Sequence, residues 1–292
     1  MAKTLEQGFD TFISWLQPLT SEHSKASSHK DSVKSCMDNN FKCSSLFETG
    51  SFGNGTGVRH HSDTDYFAVC PANELWTDSA YTLTKVKEAL QSTFWNTSNI
   101  AVNSPAVRIP FGTYASETLE VTPAYRNGSF DTPVGSKYSY NIPNNSGGWM
   151  KSSPGAHTAY VNRENDRLYG KLKPLIQLVK AWKFYNNVPI SSFYLELRTT
   201  KYAEGESAII YDIDLHRIIK YLYNNELPSI NDPMGISGNI AACSTYAKRQ
   251  DALSKVKTAF SRAEKAYNNR TSNLDDCFYW WNLFFNSEFP NR

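Results

Sequence analysis

Apolar residues recur at helical spacing at the start of the chain. Leu5, Phe9, Phe12, Ile13 and Leu16 fall on one face, and Pro18 ends the run. A second helix is expected over about 27–47, with serines and lysines outward. The texture changes at Glu48-Thr49-Gly50-Ser51-Phe52-Gly53-Asn54-Gly55-Thr56, a glycine-rich turn. Residues 64–70, rich in Tyr, Phe and Val, then read as a strand. Residues 82–95 have helical character, while 106–109 and 117–122 read as short strands, the latter closed by Pro123. Residues 127–154 are rich in Gly, Pro, Ser and Asn without a sustained period, which predicts a long surface loop or the crossing between two lobes. Beyond Asn165 the helical pattern is strong, with Leu168, Leu172, Leu175, Ile176, Val179 and Trp182 forming an apolar face. Further helices are expected near 192–200, 212–224, 247–268 and 275–286.

This order of elements predicts an α/β (α+β) fold: a mixed-sheet lobe with N-terminal helices over 1–155 and a helical lobe over 156–292. The length of 292 residues suits one large domain or two modest ones at about 150 residues each. Hydrophobic residues at 40% and charged residues at 20% supply a real core and exclude a disordered or fibrous chain. No stretch approaches the ~20 apolar residues of a membrane span. The opening MAKTLEQGFD lacks the apolar run of a signal peptide, so a soluble cytoplasmic protein without a membrane partner is expected. Thirty basic residues against 28 acidic ones leave a net charge of +2, no bulk electrostatic case for duplex DNA binding. The five cysteines, Cys36, Cys43, Cys70, Cys243 and Cys277, are scattered and form no CxxC pair. They read as reduced thiols, not as a zinc ribbon or a disulfide framework.

Two adjacent features carry chemistry. Gly50-Ser51 opens the glycine-rich turn, and Asp63-Thr64-Asp65 leads into the apolar strand. Residues two apart in a strand point to one face, so Asp63 and Asp65 present both carboxylates on one side. Carboxylates that close repel unless a cation sits between them, and Mg²⁺, with oxygen ligands and substrate phosphates, is the natural one. The glycine-rich segment supplies backbone N–H groups and close approach for phosphate. It is not a Walker loop, because no GK[ST] follows, and it leads into a strand where a GxGxxG fingerprint would open a helix. A lone Asp-x-Asp is usually two solvated acids and a lone glycine loop usually a turn; side by side they are far more specific. Two-metal phosphoryl transfer wants a third acid on a neighbouring strand. Glu120, in Leu119-Glu120-Val121-Thr122-Pro123-Ala124, is the candidate, with Glu117, on the other side of the strand, second.

The Gly-Ser turn, the Asp-x-Asp strand and the third acid before a V-x-P-A turn resemble the nucleotidyltransferase superfamily that includes DNA polymerase β. Within it the sequence is most similar to the cGAS/DncV-like nucleotidyltransferases (CD-NTases) of bacterial antiphage (CBASS) signalling. Leu172–Lys183 resembles the first long helix of that family's second lobe, and Ile190-Ser191-Ser192-Phe193-Tyr194-Leu195-Glu196 its next helix start. Asn231-Asp232-Pro233-Met234-Gly235 with Asn239 is similar to a late family segment. The resemblance implies a bilobal polymerase-β-like fold with its active site in the cleft between the lobes. It implies an enzyme that condenses nucleoside triphosphates (ATP, GTP, UTP or CTP) into a cyclic oligonucleotide, which activates an effector protein. By the same resemblance Gly50 and Ser51 hold the donor triphosphate, and Asp63, Asp65 and Glu120 hold two Mg²⁺ ions, replaceable by Mn²⁺. Lys180 reaches the β- and γ-phosphates, Ser192 adds a hydrogen bond, and Phe193 stacks on the base. A monomer is expected.

The family more often has Asp where Glu120 stands. The same acids would also serve a transferase acting on RNA, protein or a small molecule, or survive in an inactive nucleotide-binding module. Plainer readings exist for the outlying residues: Lys180 as a solvated helix residue, Phe193 as core packing and Ser192 as an N-cap. His60 and His61 are poor Mg²⁺ ligands in a polar loop. Asp232 and Asn239 read as turn formers, and the Tyr279-Trp280-Trp281 run as packing for the last helix.

Overall fold

The computed structural model describes residues 4–19, 24, 28–61, 64–112 and 117–292. It divides into two units, one of residues 18–160 with 234–237 and one of residues 1–17, 161–233 and 238–292.

The first unit is built on a mixed sheet. Its strands are β1 (Ser45–Thr49), β2 (Thr64–Val69), β3 (Ala101–Asn103), β4 (Ala106–Phe111), β5 (Glu117–Thr132), β6 (Gly135–Pro143) and β7 (Trp149–Ser152). The order is β1-β2-β5-β4-β3, with β6 pairing β5 and β7; β2 and β5 run parallel and the other pairs antiparallel. Period-2 alternation gives the sheet two different faces. Leu46, Tyr66, Ala68, Val107, Ile109, Leu119 and Val121 point to a core shared with two helices. Here α2 (Lys30–Phe41) contributes Val33, Met37 and Phe41, and α4 (Ser79–Thr93) contributes Leu83, Val86 and Leu90. The opposite face carries a small cluster of Phe67, Ala124 and Ile142 with Phe47 and Tyr140, and, further along the same strands, the acids.

Two expectations from the sequence are corrected. The helix expected to reach residue 47 stops at Phe41, because Lys42 adopts a left-handed conformation (φ 50°) and its N–H caps the helix on Asp38 and Met37 carbonyls. Leu46 and Phe47 then alternate between the two faces as strand residues. The expected loop over 127–154 is instead mostly strand: β5 continues through Pro123 to Thr132, turns, and returns as β6 and β7. Pro123 is tolerated because pairing with β4 ends at Val121 and pairing with β6 starts at Tyr125, so on that edge the missing N–H falls in a gap between two ladders. A bulge between Arg126 and Gly128, with Gly128 at φ 124°, adds the irregularity that hides the strand period.

The second unit is helical. It contains α1 (Leu5–Leu16), α6 (Leu172–Tyr185), α7 (Ser192–Ala203), α8 (Tyr211–Asn224), α9 (Tyr246–Asn269) and α10 (Leu274–Phe284), with the two-residue strands β8 (Ile230–Asn231) and β9 (Asn239–Ile240). The helix α5 (Pro154–Arg167) starts in the sheet unit and ends in this one. A Thr4–Gln7 capping box starts α1. Its Phe9 and Phe12 pack on Trp281, Phe285 and Phe289, with ring centroids 4.5–5.3 Å apart, which ties α1 to the helical unit. Trp281 is fully buried, whereas Tyr279 stays 55% exposed. Among the described residues no helix is long and apolar enough to cross a membrane, and the five cysteines are unbridged.

One buried histidine gives this unit a pH dependence. His216 on α8 makes a short Nε2 contact with Glu264 Oε2 and stacks 4.5 Å from Tyr267. Its buried Nδ1 has no hydrogen-bond partner among the described residues. A neutral ring donating from Nε2 fits this site, and a second proton on Nδ1 would find no acceptor. Burial holds its pKa below the ordinary 6.5, with Lys220 and Arg217 acting in the same direction and Glu264 against. The unfolded chain therefore binds this proton more tightly, so the stability it contributes is present above pH 6.5 and is lost as pH falls through the folded value. Denaturant midpoints measured downward from about pH 7.5 to pH 5 should fall, and the slope should flatten in His216→Phe.

Candidate functional site

β1 ends at Thr49, and the chain turns at Gly50 (φ 63°) into the single helical turn α3 (Gly50–Gly53). The glycine-rich segment thus opens a short helix before β2, where the sequence alone suggested a plain turn. It closes on itself through Asn54 N–H to Gly50 O (3.1 Å) and Thr56 N–H to Ser51 O (2.9 Å). The Asn54 side chain is in short contact with Thr158 of α5, which pins the segment.

Register brings the acids together. Thr49 pairs with Asp65, Asp65 with Glu120, and Glu120 with Arg108, so one row of residues crosses four strands on the face away from the α2/α4 core. Paired residues on adjacent strands have Cβ atoms about 4.5–5.5 Å apart. Asp65 and Glu120, both half-buried, therefore face one another as neighbours although 55 positions separate them. The backbone of Gly50 stands directly against Asp65: a Cβ there would lie 1.9 Å from Asp65 Oδ2 and 3.1 Å from its Cβ. Glu120 Oε1 accepts a 2.7 Å hydrogen bond from Asn103 Nδ2, and Arg108 Nη2 donates to Thr118 Oγ1 at 3.2 Å. Ser51 lies half-buried in α3. Asp63 lies outside the described residues. Among those described, no group of three or more His, Cys, Asp or Glu side chains is arranged to hold a metal. The donors that are described offer only oxygen, the ligand chemistry a hard divalent cation takes.

Gly50→Ala tests the close approach. Its left-handed φ costs an L-residue about 1–2 kcal/mol, and the new methyl must displace the Asp65 side chain. We expect a fall in melting temperature of several degrees and about a 10²-fold loss of turnover, as a misplacement of about 1 Å produces. Thermal scans and nucleotide turnover measured side by side check both.

The helical unit holds the remaining candidates. Ser191, not Ser192, is the N-cap of α7, its hydroxyl accepting from Tyr194 N–H at 3.3 Å. Ser192 instead receives a 2.6 Å hydrogen bond from Lys183 Nζ. Lys180 Nζ donates to Glu196 Oε2 at 2.5 Å, the two side chains only 3% and 4% exposed. Burial, helped by the charge of Lys180, pushes the Lys183 ammonium down to about 8. Phe193 is 39% exposed, so it is not a core residue. Asp232 N–H donates to Gly238 O at the β8–β9 turn, while Asn239, a β9 residue and not a turn former, donates across the strand pair to the Asn231 side chain. Sequence reasoning missed Lys183, although a lysine one turn after Lys180 on the same helix was the available signal. It also missed Asn103 and Arg108, whose neighbours become visible only once β3, β4 and β5 are in register.

The sequence profile of the Second Messenger Oligonucleotide or Dinucleotide Synthetase domain matches residues 3–165. The chain belongs to this family of nucleotidyltransferases. This synthetase-family chain is 22% identical to the cyclic AMP-AMP-AMP synthase of Acinetobacter sp. (strain ATCC 27244 / 9458) over 310 residues, covering 98% of this chain and 86% of that protein. It is 23% identical to a probable cyclic nucleotide synthase of Bacillus cereus (strain VD146) over 179 residues, 60% of this chain and 52% of that protein. The chain thus matches about half the length of that relative. Its fold is similar to that of Escherichia coli MS115-1 CdnC solved with ATP, with a TM-score of 0.76 at 16% identity over 98% of this chain and 99% of that one. A mixed-sheet unit and a helical unit are the components of the polymerase-β-like fold that the resemblance implies.

Proposed function

We propose that the protein condenses nucleoside triphosphates into a cyclic oligonucleotide second messenger, with release of pyrophosphate. The observation that carries this reading is the pairing of Asp65 with Glu120 in parallel register, with the Gly50 backbone against Asp65. In this reading Asp63, Asp65 and Glu120 hold two Mg²⁺ ions, or Mn²⁺ in their place. The ions supply Lewis-acid stabilisation of phosphoryl charge and a lowered hydroxyl pKa. Gly50 and Ser51 receive the donor triphosphate, because the first N–H groups of a helix have no partners within it. Lys180 and Ser192, with Lys183, serve the β- and γ-phosphates, and the exposed ring of Phe193 stacks on the base.

An acceptor ribose hydroxyl gives up its proton to solvent as its oxygen attacks the α-phosphorus. The new P–O bond forms as the bond to the β-phosphate bridging oxygen breaks, and pyrophosphate leaves with the electron pair. A later round on the same chain closes the ring. The product would activate an effector protein in antiphage defence, with the synthase acting as a cytoplasmic monomer. The Acinetobacter relative is named as a cyclic trinucleotide synthase, which makes ATP the first substrate to try.

The test is incubation with ATP, GTP, CTP and UTP in Mg²⁺ or Mn²⁺, each nucleotide omitted in turn, followed by phosphatase and mass spectrometry. A phosphatase-resistant ring is the expected product. Label transferred to RNA or protein would replace the ring with another acceptor. Nucleotide binding without turnover in either metal would overturn the enzymatic reading.

A further inference from the structure

We propose that Asn103 is the positioning residue for Glu120. The inference rests on the function proposed above, since it concerns how the third acid is presented.

A glutamate has one more rotatable bond than an aspartate, and holding it in one geometry costs more rotamer freedom. Glu120 is half-buried on the sheet face away from the α2/α4 core. The 2.7 Å bond from Asn103 Nδ2 to Oε1 supplies the restraint. Its geometry is built into the sheet. Asn103 closes the edge strand β3 and pairs with Ala106, while Glu120 pairs with Arg108 two places along the same β4 strand. The two side chains therefore meet on a diagonal across β4. Ala106, two places from Arg108 and on the same face, carries only a methyl group beside that diagonal. Asn is suited to this place, because its amide donates to a carboxylate without adding a cation that would compete with a bound metal. An amide engaged with Oε1 in this way restricts rotation of the carboxylate about its last bond. Outer partners of this kind fix ligand orientation, and removing one typically weakens metal affinity or activity about 10–100-fold.

The experiment titrates Mn²⁺ into the nucleotide-free protein by electron paramagnetic resonance, alongside turnover, for wild type, Asn103→Ala and Asn103→Asp. Asn103 is exposed at a sheet edge, so both variants should melt close to wild type. We expect a rise of about 10-fold or more in the Mn²⁺ concentration for half-saturation in both. We also expect a lower kcat and a nearly unchanged KM for the nucleotide. The aspartate variant, close to Asn in size and unable to donate when ionised, should be the more affected. Mn²⁺ binding and kcat within twofold of wild type in both variants would overturn the inference, as would losses that simply follow a fall in melting temperature. A wild-type chain that neither binds Mn²⁺ nor turns over nucleotide overturns the proposed function and, with it, the inference. Normal wild-type activity with unaffected variants sinks the inference alone.

Discussion

Asp65→Asn should lower nucleotide turnover by about 10³-fold or more, several kcal/mol of transition-state stabilisation, without unfolding the chain. Asn matches Asp in size, and Asp65 is a half-buried strand residue paired on both sides by Thr49 and Glu120, so backbone pairing survives the change. Neutralising one of two facing carboxylates also removes their mutual repulsion. In metal-free buffer the variant should therefore melt at or above the wild-type temperature. Wild type should rise in melting temperature as Mg²⁺ is added, by the mass action of a ligand that binds only the folded state. In Asp65→Asn that rise should disappear. Paired thermal scans with Mg²⁺ and with a chelator read this directly, and a variant that keeps both turnover and the Mg²⁺ shift would remove Asp65 from the site.

Lys180→Met should act on stability first. The side chain is nearly isosteric, yet it removes the cation from the buried pair with Glu196. Breaking a buried pair in this way costs about 3–5 kcal/mol. Replacing both partners, Lys180→Met with Glu196→Leu, removes the carboxylate together with the cation, and the double variant should regain most of the loss in a denaturant titration. It also separates two roles. If Lys180 serves the triphosphate, the refolded double variant should still show a KM for nucleotide raised about tenfold, the equivalent of one charge-assisted hydrogen bond. A double variant with normal KM would confine Lys180 to holding α6 against α7.

How much of this was legible in the sequence depended on whether the signal was local. The apolar faces of α1 and α6 repeat at 3.6 residues, and the limits of α1 are legible, but the face read through Leu168 runs across the break between α5 and α6 at 168–171. The strand carrying Asp65 was legible too, because its run of Tyr, Phe and Val has strand composition, with Tyr66 and Phe67 buried on opposite faces. The β5–β6–β7 ribbon was not, since Gly128, Pro123 and the Asn-rich turns carry loop composition while the backbone still pairs. For the acids, local spacing suggested that Asp63 and Asp65 belong together, and Asp63 lies outside the described residues. The neighbour that the structure does provide, Glu120, is set by parallel pairing between distant strands, which periodicity cannot express. The partner of Lys180 was hidden for a related reason: Glu196 reaches it across a helix–helix turn, and from its own helix alone Lys180 looks like a solvated lysine.

The handover at Pro123 has a consequence for how such a protein can diversify. Upstream of the proline, β5 is clamped between β2 and β4, and those two neighbours set the backbone position of residue 120. Downstream, the strand answers to β6, and the bulge near Gly128 already absorbs one irregularity. Lengthening, shortening or re-bending the outer hairpin thus leaves the frame of the acidic row intact. One continuous strand joins a segment under strict geometric selection to an arm open to insertion and remodelling.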